Sequence, residues 1–151
     1  KVKDLFCCET GYQTPKLATR AAVFQGERIL LVQEPKGWAL PGGWVDMDIS
    51  VAENTVKEVR EEAGLEVRAD RLIALLDGER HHTTVYPWKV TIAFVLCTLL
   101  GGAFQENLET TASGWFPLDS MPPLDWEKTT REQLELCFRA RAAVHWHTLL
   151  E

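Results

Sequence analysis

Residues 40–65 read LPGGWVDMDISVAENTVKEVREEAGL, and the reading of the chain turns on this stretch. Ser50 followed by Glu53 makes a capping box, in which hydroxyl and carboxylate each satisfy a backbone donor that the first helical turn leaves unpaired. A helix therefore starts near Ser50. Gly64 closes it, because glycine takes the left-handed conformation of a helix end without steric cost. At about 100° per residue, Ala52, Val56, Val59 and Ala63 share one side and Glu58, Glu61 and Glu62 the other. The apolar side is expected to be core.

Glutamates at i, i+3 and i+4 repel on an isolated helix by a few tenths of a kcal/mol per pair. They also crowd the C-terminal half, where the helix dipole disfavours anions. Such a face is either an ordinary solvated surface, since exposed glutamates cost little, or the seat of a cation. Its position argues for the cation. A hard divalent ion takes oxygen ligands, and Mg²⁺ is commonly held by a few carboxylates together with substrate phosphates. The turn Pro41-Gly42-Gly43 lets the backbone come close, so a main-chain carbonyl of that turn can join Glu58, Glu61 and Glu62 around the ion.

Further out, 151 residues with 46% hydrophobic content suit one domain whose core needs no staples. A formal charge of −6 and a pI near 5.3 argue against a nucleic-acid-binding surface, which would carry a basic stripe. A small anionic substrate stays compatible if metal supplies the positive field. Cys7, Cys8, Cys97 and Cys137 show no paired ligand spacing and follow no secretory signal, which reads as reduced thiols of a cytoplasmic protein. The longest apolar run, residues 91–100, falls far short of the roughly 20 residues that a membrane-spanning helix needs, so no membrane partner is expected. The chain begins at Lys1 without a methionine. Residues 1–16 read as the end of an N-terminal segment or a linker, and residues 17–151 as the domain.

Along that domain, Ala18, Ala22, Val23 and Phe24, then Gln25-Gly26-Glu27, then Ile29 to Val32 predict two buried strands joined by a hairpin. Trp38 to Leu40 predicts a short strand feeding the glycine turn. Trp38 and Trp44 flank that turn, and each reads either as core or as a platform for a nucleobase. Residues 66–77 become apolar at Leu72 to Leu76 and predict a strand. Asp77 to His82 reads as a polar surface loop in which Arg80 or His81 is a candidate for the substrate edge; adjacent histidines diverge on an extended chain and make no joint metal site. Trp88 to Leu100 is the strongest strand candidate and is expected to be central. A polar loop at residues 105–114 holds Glu106 and Glu109 ahead of strand-like Gly114-Trp115-Phe116. Leu134, Phe138, Ala142 and Trp146, spaced by four, predict a terminal helix within residues 128–150, its stripe facing the sheet or a partner subunit in a homodimer. Strands, glycine turn, helix, strands and terminal helix describe an α/β sandwich with a mixed sheet between helical layers.

At this point the chain resembles the Nudix hydrolases. Gly43, Glu58, Val59, Glu61, Glu62, Gly64 and Leu65 match the Nudix box in register. Ile49 stands where the box has its first Glu, and Lys57 where it has Arg; in the family those two side chains usually pair across the loop–helix junction. Ile49 accepts no hydrogen bond, and Lys57 offers a point charge in place of a planar fork. Lys57 is left with Glu61, one turn on, as a partner. Residues 11–16, 38–44 and 115–122 resemble the subgroup acting on ADP-ribose and other diphosphate-linked nucleosides. The resemblance implies a Nudix-type α/β/α sandwich and hydrolysis of a pyrophosphate bond in a nucleoside diphosphate linked to another moiety. It also implies Mg²⁺ or Mn²⁺ held by the Gly42 carbonyl, Glu58, Glu61 and Glu62, with Glu58 or the loop acid Glu109 as general base and Glu106 as the fallback. Two alternatives accompany it: a Nudix-like binding or regulatory domain weakened at Ile49 and Lys57, and a nucleoside triphosphate pyrophosphohydrolase.

Overall fold

A computed structural model describes residues 11–82 and 88–151. The expectations for residues 1–10, Cys7 and Cys8 among them, lie outside the described residues. The hairpin strands are β1 (Lys16–Gln25) and β2 (Arg28–Glu34), followed by the short strands β3 (Gly37–Ala39) and β4 (Gly42–Trp44). Helix α1 (Val51–Ala63) leads into β5 (Leu65–Asp77), and the single turn α2 (Gly78–His81) precedes β6 (Val90–Gly102). After β7 (Ala112–Pro117) come α3 (Arg131–Ala142) and β8 (Leu149–Leu150).

The sheet runs β3-β2-β1-β6-β5-β8, with β4 pairing β1 and β7 pairing β2. Its pairing is mixed: β1 lies parallel to β6 and β5 parallel to β8, and the other ladders are antiparallel. As expected, β6 is central, between β1 and β5. Successive side chains alternate faces, and both faces are buried. Ala18, Ala22, Ile29, Leu31 and Phe94 join Leu134 and Cys137 of α3 in one core. Ala21, Val23, Leu30, Val32 and Val95 meet Val59 and Ala63 of α1 in the other. Two-sided burial is why these strands read as continuous apolar runs rather than as alternation. The result is the α/β/α sandwich.

Three expectations need correction. The apolar side of α1 is buried only at Val59 and Ala63; Val56 is half-buried and Ala52 exposed. The helix docks its first turns through polar groups instead, the buried Asn54 amide donating to Thr19 Oγ1 over 3.1 Å. Asp77 to His82 is not simply a loop: the Asp77 carboxylate accepts from the Glu79 N–H at 3.1 Å and caps one helical turn. The terminal helix stops at Ala142, with Ala142 exposed and Trp146 outside it. Beyond it the Trp146 indole donates to the Ile73 carbonyl at 2.9 Å, and the Thr148 hydroxyl donates to that of Leu72 at 3.0 Å. The edge of β5 carries backbone groups that need partners, and residues 146–151 satisfy them better extended than helical. The stripe that survives, Leu134 and Phe138, is used within the chain: Leu134 is buried, and Phe138 packs edge-on against Phe24.

Candidate active site

The expected cap forms. The Ser50 hydroxyl accepts from the Glu53 N–H at 3.1 Å, and the Glu53 carboxylate accepts from the Ser50 N–H at 3.3 Å. Gly64, at φ 69°, ends α1 with its N–H on the Arg60 carbonyl. The helix thus presents Glu58 and Glu62 inward toward β4 while Glu61 stays exposed. Glu62 accepts from the Gly42 N–H at 2.8 Å, which ties helix to strand. Gly43 lies against Glu58 so closely that a Cβ there would stand 2.8 Å from Oε1.

These residues line a cleft of about 1040 Å³ that also receives Arg20, Glu34, Trp44, Asp46, Lys57, His82, Trp88, Glu109, Glu127 and Lys128. Five of the expected site residues, Gly42, Glu58, Glu61, Glu62 and Glu109, meet there. The other three do not. Trp38 packs edge-on against Phe116 at 5.0 Å, Arg80 leans on Asp77 at 3.7 Å, and His81 binds Glu151 at 2.9 Å. Among the described residues two tryptophans line the cleft, Trp44 and Trp88, 6.0 Å apart and edge-on. Trp88 is 44 positions from Trp44 in the sequence; no local pattern connects them, and the β1–β4 and β1–β6 ladders together bring them side by side.

Glu109 is placed by a residue that sequence reasoning passed over. The Asn107 amide oxygen accepts from the N–H groups of both Glu109 and Thr110 at 3.0 Å. The Thr110 hydroxyl donates to the Glu62 carbonyl at 2.6 Å, so the loop is fastened to the end of α1. His82 was likewise not expected in the cleft. Its Nδ1 faces the Trp126 carbonyl at 3.0 Å and its Nε2 the Gln133 amide nitrogen at 3.0 Å. A carbonyl only accepts and an amide NH₂ only donates, so Nδ1 carries the proton and the ring is neutral. Burial, the largest cause, also lowers its pKa. With both nitrogens engaged, His82 holds the wall of the cleft.

The carboxylates are electrostatically strained. Burial first, then the neighbouring Glu58, pushes Glu62 up to about 8 against the lowering by the Gly42 N–H. Burial raises Glu58 as well, opposed by Lys57 and reinforced by Glu61 and Glu109. Lys57 sits 3.1 Å from Asp46, 3.5 Å from Glu58 and 3.6 Å from Glu61. The Glu61 contact is the expected one; Asp46 is nearer and was not foreseen.

The chain matches the NUDIX domain model over residues 14–137. The chain belongs to the Nudix family. A crystal structure of an ADP-ribose pyrophosphatase from Streptococcus suis is 55% identical, with a TM-score of 0.86 over 91% of this chain and 100% of that one. A crystal structure of UDP-X diphosphatase is 32% identical, with a TM-score of 0.84 over 99% of this chain and 73% of that one. The Bacillus subtilis protein YjhB, whose name assigns it provisionally to ADP-ribose pyrophosphatases, is 39% identical over 91% of this chain and 67% of its own length. As a Nudix hydrolase the chain is an enzyme of phosphorus-containing anhydrides, a family that generally works with divalent metal ions.

The Nudix site fits such an ion by its donor chemistry. Glu34, Asp46, Glu58, Glu61, Glu62, Glu79, Glu109 and Glu127 line the cleft against Arg20, Lys57 and Lys128. A phosphate-bearing substrate is repelled there unless further positive charge is present. The raised carboxyls of Glu58 and Glu62 have the same need. Among the described residues no three or more His, Cys, Asp or Glu side chains are set together so as to hold a metal ion by themselves, so backbone, water or substrate oxygens would have to complete the shell.

Proposed function

We propose that this Nudix enzyme hydrolyses the pyrophosphate bond of a nucleoside diphosphate linked to another moiety, with ADP-ribose the first substrate to test. The carrying observation is the meeting of Glu58, Glu61, Glu62 and Glu109 with Arg20, Lys128 and two tryptophans in one cleft. Its volume stands at the top of the roughly 300–1,000 Å³ range of small-molecule sites, room for both halves of such a substrate. Glu58, Glu61, Glu62 and the Gly42 carbonyl are assigned to hold Mg²⁺ or Mn²⁺. Once bound, the ion supplies charge neutralisation on the phosphates and a more acidic water. Glu58 or Glu109 accepts the water's proton; both face the cleft, and a base must reach that proton within hydrogen-bond distance or through one water. Arg20 and Lys128 direct positive charge at the phosphate oxygens. Trp44, 38% exposed, offers its face to the base, backed by Trp88. Arg80 and His81, on α2, keep a role only at the outer substrate edge.

The test is a panel of ADP-ribose, UDP-sugars, dinucleotides and nucleoside triphosphates, each with and without Mg²⁺ or Mn²⁺. Two monophosphate products from a diphosphate-linked nucleotide, formed only with metal, are the expected result. Pyrophosphate release from triphosphates alone would overturn it. UDP-sugars are included because one structural neighbour is named for UDP-X. The free buried thiols Cys97 and Cys137 support a reducing, cytoplasmic setting, and among the described residues no helix is long and apolar enough to cross a membrane.

A further inference from the structure

Lys57 stands among three acids with unequal claims on it. Its ammonium lies 3.1 Å from Asp46 Oδ2, within hydrogen-bond range, and 3.5 and 3.6 Å from Glu58 Oε1 and Glu61 Oε2, beyond a normal hydrogen bond. It is therefore anchored on Asp46 and leans on the two glutamates. The anchor is fixed from below: the Asp46 N–H donates to Asn54 Oδ1 at 3.4 Å, and the fully buried Asn54 is bonded to Thr19 of β1. Ile49, at the loop–helix junction, supplies no acid that could draw the ammonium elsewhere. A lysine carries a compact charge on a flexible stem and passes from one acid to another, where a planar guanidinium fork stays locked on one.

We propose that Lys57 competes with the divalent cation for Glu58 and Glu61, and that Asp46 relieves the competition by holding the ammonium aside. Asp46 is then a positioning residue that sets metal affinity through Lys57. This rests on the metal-binding reading above. It departs from a plain structural clamp in one respect: removing the two partners shifts metal affinity in opposite directions. Losing Asp46 leaves Lys57 only Glu58 and Glu61, and the ion must displace it. Losing Lys57 removes the competitor.

The measurement is Mn²⁺ binding without substrate, followed by the electron paramagnetic resonance of free Mn²⁺ and by calorimetry. Asp46→Asn is expected to weaken binding about fivefold, the scale of one partly exposed ion pair, and Asp46→Glu to restore it. Lys57→Met is expected to tighten binding by a similar factor, and the double variant Asp46→Asn/Lys57→Met to match Lys57→Met. Asp46 is half exposed at its side chain, so Asp46→Asn carries the test even where Lys57→Met folds poorly. Unchanged affinity in Asp46→Asn, or weaker binding in a folded Lys57→Met, overturns the proposal while leaving the metal site standing. Absence of Mn²⁺ binding by the wild-type chain overturns both.

Discussion

A Cβ at Gly43 would lie 2.8 Å from Oε1 and 2.9 Å from the carboxyl carbon of Glu58, and at Gly42 it would lie 1.9 Å from the Thr19 carbonyl oxygen. These neighbouring glycines are therefore needed for different reasons. The obstacle at Gly43 is the end of a flexible side chain, which moves at little cost to the fold but takes the carboxylate with it. Gly43→Ala is expected to lower kcat by about a hundredfold, the scale of an ångström of misplacement, with its melting temperature near wild type. At Gly42 the obstacle is backbone, and Gly42→Ala is expected to break the β1–β4 pairing and melt well below wild type. Comparing thermal melts with turnover for the two variants checks both. Glu62→Gln separates charge from shape. A glutamine keeps an oxygen for the Gly42 N–H yet cannot carry the charge that holds a cation, so metal-dependent turnover should fall by orders of magnitude with circular dichroism unchanged. Full activity in Glu62→Gln would remove Glu62 from the site.

Among the elements, α1 and the loop after β6 act as one unit, because Asn107 and Thr110 fasten that loop to the Glu62 carbonyl. Asn107→Ala deprives the Glu109 and Thr110 N–H groups of their acceptor and should release Glu109 from the cleft. The expected outcome is non-additive: Asn107→Ala and Glu109→Gln each lower kcat, and the double variant is no slower than Glu109→Gln, as for residues acting through one group. Additive losses would show that Asn107 acts elsewhere. The two ends of α1 were legible because their signals are local; Ser50, Glu53 and Gly64 satisfy or end the helix within a few residues of themselves. Asn107 was not legible, since an asparagine in a polar loop gives no sign of which distant carbonyl it meets. The end of α3 was misread for a related reason. Spacing by four at Ala142 and Trp146 favours helix, and the β5 edge that outbids it is some 70 residues away in sequence.

Over the whole molecule, the raised carboxyls of Glu58 and Glu62 link stability to pH. An unfolded glutamate has released its proton above about 4.5, whereas folded Glu62 keeps it up to about 8. The folded state then binds more protons, so this group's contribution to stability is largest at low pH and is lost as pH rises toward 8. His82, lowered by burial, works in the opposite sense below its ordinary value near 6.5. The window from about 6.5 to 8 isolates Glu62: without divalent metal the melting temperature should fall across it, Glu62→Gln should flatten the fall, and added Mn²⁺ should raise it most at pH 8. A metal-free melting temperature that is level from 6.5 to 8 would contradict the burial of Glu62 as a cation-seeking group. The sequence by itself determined what depends on near neighbours and periodicity: the hairpin, the capped helix, the central strand and the acidic helix face followed by a glycine stop. Box spacing extended this to the family, because a helix makes the spacing of Glu58, Glu61 and Glu62 a statement about geometry. Only the tertiary structure decided which groups from separate elements meet. It set Asp46 beside Lys57 where Ile49 leaves the expected acid missing, joined Trp44 to Trp88 across the cleft, and turned Trp38 and His81 to other partners. Those choices depend on strand register and on the pairing of edge carbonyls, long-range terms that no local stretch of this chain records.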